Sequence, residues 1–377
     1  MTVEADILVI GAGMAGASIA AQLAATHRVI IVEREPHAGY HSTGRSAAVF
    51  TETYGGNTVR ALAAASRGFF ENPPAGFAQT PLLNPRGVLY IATADDGESV
   101  EALLCRPGVA QRTQRISAAQ ARRLVPILRE SHVAQAIHEP NASDIDVHQV
   151  LEGFLRQARR GGAQVWFNCE LLGLSRTSGG WLADTTIGPV SAACIVNAAG
   201  AWADQVGQLA QAQPIGLQPG RRTALLVEAP EGLDITRWPL TVDVNELFYL
   251  KPDAGRLLLS PVDDTPSAPC DAQPDEYDIA TAVDRVEKAT VLDVRRVLRK
   301  WAGLRSSVRD GIPVIGHDPR TRGFFWLAGQ GGYGIQAAPA MARIAASLLT
   351  GRPIPAEIAD LGIQAQELSP ARLLRTA

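Results

Sequence analysis

Asp6-Ile7-Leu8-Val9-Ile10-Gly11-Ala12-Gly13-Met14-Ala15-Gly16 is the stretch whose reading decides the fold. Its first five residues form an apolar, largely β-branched run that reads as a strand, and residues 15–25 read as a helix. A Gly-x-Gly-x-x-Gly turn joins them. A second apolar run, Val29-Ile30-Ile31-Val32, ends at Glu33, 20 residues after Gly13. The whole predicts a βαβ unit of the dinucleotide-binding kind. There Gly11 permits the tight turn, Gly13 lets the backbone approach a pyrophosphate, and Gly16 lets helix and strand pack closely. The helix N-terminus, at Met14 and Ala15, then faces the phosphates. In a chain with 35 glycines the bare motif is weak, and the flanking strand, helix and acid make it specific. An acid at Glu33 bonds a ribose hydroxyl and disfavours a 2′-phosphate, which points to FAD or NAD rather than NADP.

Composition narrows the function classes. The chain of 377 residues suggests two or three domains, or two interleaved ones. A net charge of -3 with 19% charged residues supplies no basic stripe for nucleic acid. The four cysteines, Cys105, Cys169, Cys194 and Cys270, lie far apart with no C-x-x-C pair, so neither a metal site nor a disulfide framework is expected and a reducing cytosol fits. The acidic start Thr2-Val3-Glu4-Ala5-Asp6 does not read as a signal peptide. Glycines at 11, 13 and 16 argue against a membrane span over 7–25. A cytoplasmic protein is expected.

Further along, a small, polar loop, His41-Ser42-Thr43-Gly44-Arg45-Ser46-Ala47-Ala48, is suited to wrap a ligand and precedes a helix over 59–70. From Gly87 the pattern changes. Strands over 88–91 and 133–136 flank helices near 98–104 and 118–124, which suggests an α+β insertion. An amphipathic helix over 147–160 and closely spaced strands up to Ile195-Val196 resume the α/β pattern. Strands over 223–227, 247–250 and 256–260 with a helix over 276–291 form a second insertion. Near the end, Gly329-Gln330-Gly331-Gly332-Tyr333-Gly334 follows the strand 324–327 and is expected to open a helix over 335–349. No acid occurs between Asp318 and Glu357, so this is not a second nucleotide site. The free N–H groups at such a helix start would instead stabilise an electron-rich ring, such as a reduced flavin.

These features together with Glu33-Arg34-Glu35, Asn197-Ala198-Ala199-Gly200-Ala201-Trp202 and Trp301-Ala302-Gly303-Leu304-Arg305 resemble the D-amino-acid oxidase family of FAD-dependent oxidoreductases over the whole chain. The likeness is strongest to the bacterial FAD-dependent D-arginine dehydrogenase type, through 40–48, 248–255 and 330–336. It implies an α/β with α+β fold: a Rossmann-like FAD domain interleaved with a substrate domain on an antiparallel sheet. The segments implied are 1–86, 145–220 and 302–377 for FAD, and 87–144 and 221–301 for substrate.

Non-covalent FAD is the implied cofactor. Gly11, Gly13, Met14, Ala15, Gly16, Glu33 and Arg34, the loop His41, Ser42, Thr43, Gly44, Arg45, Ser46, Ala47 and Ala48, then Leu171, Ala199, Gly200, Trp202, Gly303, Gly331, Gly332, Tyr333, Gly334 and Ile335 are expected to contact it. By the same resemblance Arg222, Arg305 and Tyr249 bind a substrate α-carboxylate, Tyr54 joins them in the reaction, and Val49, Thr51, Val88, Gly332, Tyr333 and Gln336 line the rest of the pocket. A guanidinium fork and a phenol suit a carboxylate because their donors aim the α-carbon hydrogen at the ring. The D-arginine-preferring pattern carries a histidine at Val49 and a glutamate at Val88, and both are apolar here. A buried guanidinium without that acid is costly, so apolar D-amino acids are expected, oxidised to 2-oxo acids and ammonia. Oxidation of glycine, N-methyl amino acids or 2-hydroxy acids is the alternative, and a flavoprotein without turnover a further one. A quinone acceptor, with peripheral attachment at the inner membrane, is compatible with the sequence.

Overall fold

The computed structural model describes residues 2–374. Met1 and residues 375–377, the outer ends of two expected FAD segments, lie outside them. Val3–Ile10 sits in the middle of an eight-stranded sheet because its apolar side chains must be covered on both faces. It pairs in parallel with Val29–Val32 on one side and Val190–Asn197 on the other, in register Ile10↔Val32 and Ile10↔Asn197. Gln164–Trp166 extends the sheet beyond Val29–Val32. At Val190–Asn197 the sheet forks: its first half pairs with the antiparallel hairpin Leu171–Thr177 and Gly180–Thr185, its second half with Phe324–Ala328. Helices Met14–Leu23, Val147–Arg160 and Ala338–Leu349 cover one face, burying Ile19, Phe154 and Ile344. The other face buries Leu8, Ile195 and Trp326 beneath the helix Ala203–Leu209.

A second, nine-stranded sheet is built from 88–139 and 218–307. Its ladders are antiparallel apart from Val88–Ala92 beside Leu240–Asp243. Gln218–Val227 and Val297–Ser307 pair from Gln218↔Ser307 to Val227↔Val297. Positions 220 and 302, expected as domain boundaries, therefore fall inside one continuous ladder. A three-stranded sheet of Val49–Phe50, Ser143–Ile145 and Leu83–Pro85 lies alongside.

Three expected elements are displaced. The strand placed at 133–136 is Gln135–Glu139, because Val133 N–H closes a turn on Arg129 O (3.2 Å) before pairing begins. That placed at 247–250 is Tyr249–Asp253: Glu246 takes a left-handed φ of 57° and Leu247 is exposed. The last helix starts at Ala338 rather than Ile335. Isolated turns, Tyr333 N–H to Gln330 O (3.0 Å) and Ala337 N–H to Tyr333 O (3.1 Å), occupy the interval, and Pro339 stands in the helix's first turn.

Candidate active site

The glycine turn is dictated by close approach. Gly11 has φ +100°, and a Cβ there would sit 2.7 Å from Ala198 O. At Gly16 a Cβ would meet Gly11 O at 1.9 Å, so this glycine packs helix on strand and lines none of the three cavities that run from this turn. Within the polar loop a Cβ at Gly44 would meet Gly39 O at 2.5 Å. Glu33 accepts Ala12 N–H at 2.8 Å and Glu35 N–H at 3.0 Å, which fixes its carboxylate beside the turn. Thr43 Oγ1 accepts Met14 N–H at 3.1 Å, tying the small polar loop to the helix start.

Three adjoining cavities run from this turn. The first, about 610 Å³, is lined by Gly11, Gly13, Glu33, Arg34, His41, Ser42 and Thr43, and closed by Leu171, Ala199, Gly200 and Trp202. Arg34 lies 3.9 Å over the Trp202 ring, a cation–π contact that shapes the rim. His41 and Arg34 hold the Glu35 carboxyl below its usual range although burial pushes it up. Gly13, Ser42, Thr43 and Gly200 also border the second cavity, about 170 Å³, where Met14, Ala15, Arg45, Ser46, Ala47 and Gly303 face Gly331, Gly332, Gly334 and Ile335. The third, about 110 Å³, is lined by Ala48, Val49, Thr51, Tyr54, Val88, Gly332 and Gln336. Arg222, Tyr249 and Arg305 border both the second and the third. Tyr333 lines none of them: its ring packs on Tyr54 at 5.2 Å and over Gly55.

Both arginines come from the paired strands of the second sheet. Arg222 stands opposite Gly303, and Arg305 is two residues further along the same strand, hence on the same face. A Cβ at Gly303 would meet the polar loop, 3.5 Å from Arg45 Cβ. Gly332 is forced, because a Cβ there would lie 2.8 Å from Arg305 Nη1. Arg222 Nε donates to Asp263 O, and Arg305 Nη1 to Tyr54 Oη at 3.4 Å. Among the described residues neither guanidinium has a carboxylate within 4.0 Å. Burial and the Arg305 charge press the Arg222 pKa down. For Arg305 burial acts in the same direction, but the oxygens of Tyr54 and Tyr249 outweigh it and the pKa rises. Both remain charged at neutral pH.

Several cavity residues escape sequence reading: Tyr90, Leu240, Val242, Glu246 and Val262. Leu240 and Val242 show the period of two that a half-buried strand gives, which could have marked them. Nothing marks Glu246, whose left-handed turn aims it back so that it accepts from Tyr54 Oη at 3.3 Å. Val262 likewise holds φ +55°, costly for a β-branched residue. The third cavity is thus less uniformly apolar than Val49 and Val88 suggest.

A chain of cavities from a helix N-terminus beside an acid to a second glycine loop has the dimensions and donors to hold an extended dinucleotide. The family described as FAD dependent oxidoreductase matches residues 6–348. Glycine oxidase of Geobacillus kaustophilus is 24% identical over 378 residues, covering 96% of this chain and 97% of that one. The crystal structure of glycine oxidase from that organism superposes with a TM-score of 0.83 at 23% identity, over 100% of both chains. L-proline dehydrogenase from P. horikoshii gives 0.84 at 21% identity, over 99% of this chain and 98% of that one. L-amino acid deaminase from Proteus vulgaris gives 0.81 at 16% identity, over 99% and 98%. The chain belongs to the DAO family of FAD-dependent oxidoreductases.

Proposed function

We propose that the protein oxidises the α-carbon of an apolar D-amino acid, giving an imino acid that water converts to a 2-oxo acid and ammonia. The observation that carries this reading is the pair of guanidinia, Arg222 and Arg305, that face one small cavity beside Tyr249 and, among the described residues, have no carboxylate within 4.0 Å. Two like charges so placed repel, and a substrate carboxylate supplies the missing anion. FAD, when bound, supplies the hydride acceptor. Arg222, Arg305 and Tyr249 hold the carboxylate, while Tyr54, Gln336 and the Gly332 backbone border the remainder of the substrate. Fixing the carboxylate orients the α-hydrogen. The third cavity, about 110 Å³, offers an apolar side chain contact with Val49, Val88 and Leu240. The two segments 87–144 and 221–301 are read as the substrate domain and the remainder as the FAD domain, with electrons passing on to a quinone or another acceptor.

Among the relatives, glycine oxidase, L-proline dehydrogenase and L-amino acid deaminase are named for achiral or L substrates. The small third cavity also admits glycine or an N-methyl glycine, the second reading. Anaerobic mixing with D- and L-amino acids, glycine, sarcosine and 2-hydroxy acids separates them, since the yellow cofactor bleaches with a true substrate. Fastest bleaching by D-leucine, D-methionine or D-phenylalanine is expected. Bleaching by an L-amino acid or glycine alone sinks the D-specific reading, and bleaching by none of the panel sinks the activity.

A further inference from the structure

Glu139 is an acid that lines none of the three cavities, yet it is only 2% exposed. It ends the strand Gln135–Glu139, directly opposite Val88. Directly opposed residues in a ladder share a face, so the acid stands beside one wall of the third cavity. No cation pairs with it among the described residues. Its partners come instead from one short segment. Thr51 Oγ1 and Thr53 Oγ1 donate to its Oε2 at 2.7 and 2.6 Å, and Glu52 N–H donates to its Oε1 at 3.2 Å. Thr53 Oγ1 also lies 3.0 Å from Tyr90 Oη, a hydroxyl on the cavity wall. Thr51 N–H donates to Gln336 Oε1 at 3.0 Å.

That segment, 51–56, has neither helix nor strand to hold it, and it carries Tyr54 to Arg305 and Glu246. Burying an unpaired carboxyl is expensive, and burial duly raises the Glu139 pKa. A hydrophobic residue would fill the space at less cost. What it could not do is collect three donors from consecutive residues and thereby set where Thr51 and Tyr54 stand. Glu52, between them, pairs with Arg67 at 2.8 Å and Arg112 at 3.2 Å.

We infer that Glu139 is a positioning residue for the substrate site: it fixes the Thr51–Tyr54 strap that forms one side of the cavity and brings Tyr54 to Arg305. The inference rests on the third cavity being the substrate pocket. It is tested on FAD-loaded protein with benzoate, a simple carboxylate, whose binding is read from the change in the visible spectrum and needs no turnover. Glu139→Ala should weaken benzoate binding at least about tenfold, the scale of one hydrogen bond to a charged group, with FAD stoichiometry unchanged. Glu139→Gln keeps an oxygen for both hydroxyls and should recover to within about threefold of wild type. Thr53→Val, which leaves the acid in place, should weaken binding in the same sense and raise KM more than it lowers kcat for whichever amino acid bleaches the enzyme. Wild-type benzoate affinity in Glu139→Ala overturns the inference, as does a Glu139→Gln as weak as Glu139→Ala. If Glu139→Ala yields no holoenzyme, wild-type affinity in Thr53→Val overturns it. Wild-type protein that binds benzoate but is bleached by no amino acid sinks the proposed activity alone. Protein that does not bind benzoate sinks both.

Discussion

At the scale of single residues, the site is set by groups whose environment forbids their usual companions. Among the described residues Arg222 and Arg305 have no carboxylate within 4.0 Å, and replacing either by lysine removes a planar fork that a point charge cannot imitate. Arg305→Lys should cost about 2–3 kcal/mol of transition-state binding, on the order of a hundredfold in kcat/KM, with FAD content unchanged. Steady-state kinetics per bound FAD checks it, and an unchanged kcat/KM would remove Arg305 from the clamp. The Tyr333 phenol, packed against Tyr54, is pushed above its usual pKa chiefly by burial. The sign follows: its neutral form is favoured in the folded chain, so its contribution is whole below about pH 10 and is lost as pH rises through the raised value. Ultraviolet titration of wild type against Tyr333→Phe should accordingly show no phenolate assignable to Tyr333 below pH 10. Val262, held at φ +55° on the cavity wall, stores backbone strain. Val262→Gly should raise thermal stability by about 1 kcal/mol while altering KM, whereas a lower melting temperature would show that the side chain's packing outweighs the strain.

At the scale of elements, two glycine turns do different work. Gly11 to Gly16 brings a helix within van der Waals contact of a strand, and the geometry leaves no room for a methyl at position 16. Gly16→Ala should therefore yield protein depleted of FAD, measured as the ratio of absorbance at the flavin band to that of protein. A full complement of cofactor would mean the helix can shift without loss of the cradle. The second turn, Gly329 to Gly334, is more removed from its helix than its spacing suggests, with a turn of irregular backbone before Ala338. One of its glycines faces the guanidinium: a Cβ at position 332 would lie 2.8 Å from Arg305 Nη1. Sequence periodicity found both loops and the strands that lead into them, and missed Leu240–Asp243 and Val297–Ser307. It misplaced the strand at Tyr249–Asp253 because the left-handed turn at Glu246 is paid for by tertiary contacts, to which local preference is blind.

For the whole molecule, two sheets from alternating segments of chain meet where the cavities lie, and Ser42 and Arg45 tie the small polar loop to the second sheet. Arg45 donates to Ala272 O and Ala302 O, both at 3.0 Å, across more than 220 positions of sequence. Because residues of both sheets line the second cavity, FAD bound there should stabilise the fold as a whole. At a hundredfold excess over its dissociation constant the gain is about 2.7 kcal/mol, visible as a melting temperature that rises with FAD concentration. A melting temperature indifferent to FAD would place the cofactor outside the folded core. The sequence by itself determined the βαβ unit, the acid at Glu33, the interleaved α/β and α+β pattern and the membership of an FAD-dependent family. These depend on local spacing, on period and on runs of motif that stay contiguous in the chain. Only the tertiary structure decided that Tyr90, Glu246 and Val262 border the same cavity as Val49 and Val88, and that Glu139 holds the strap beside them. Those residues are joined by strand register and by left-handed turns, and neither leaves a trace in the order of residue types along the chain.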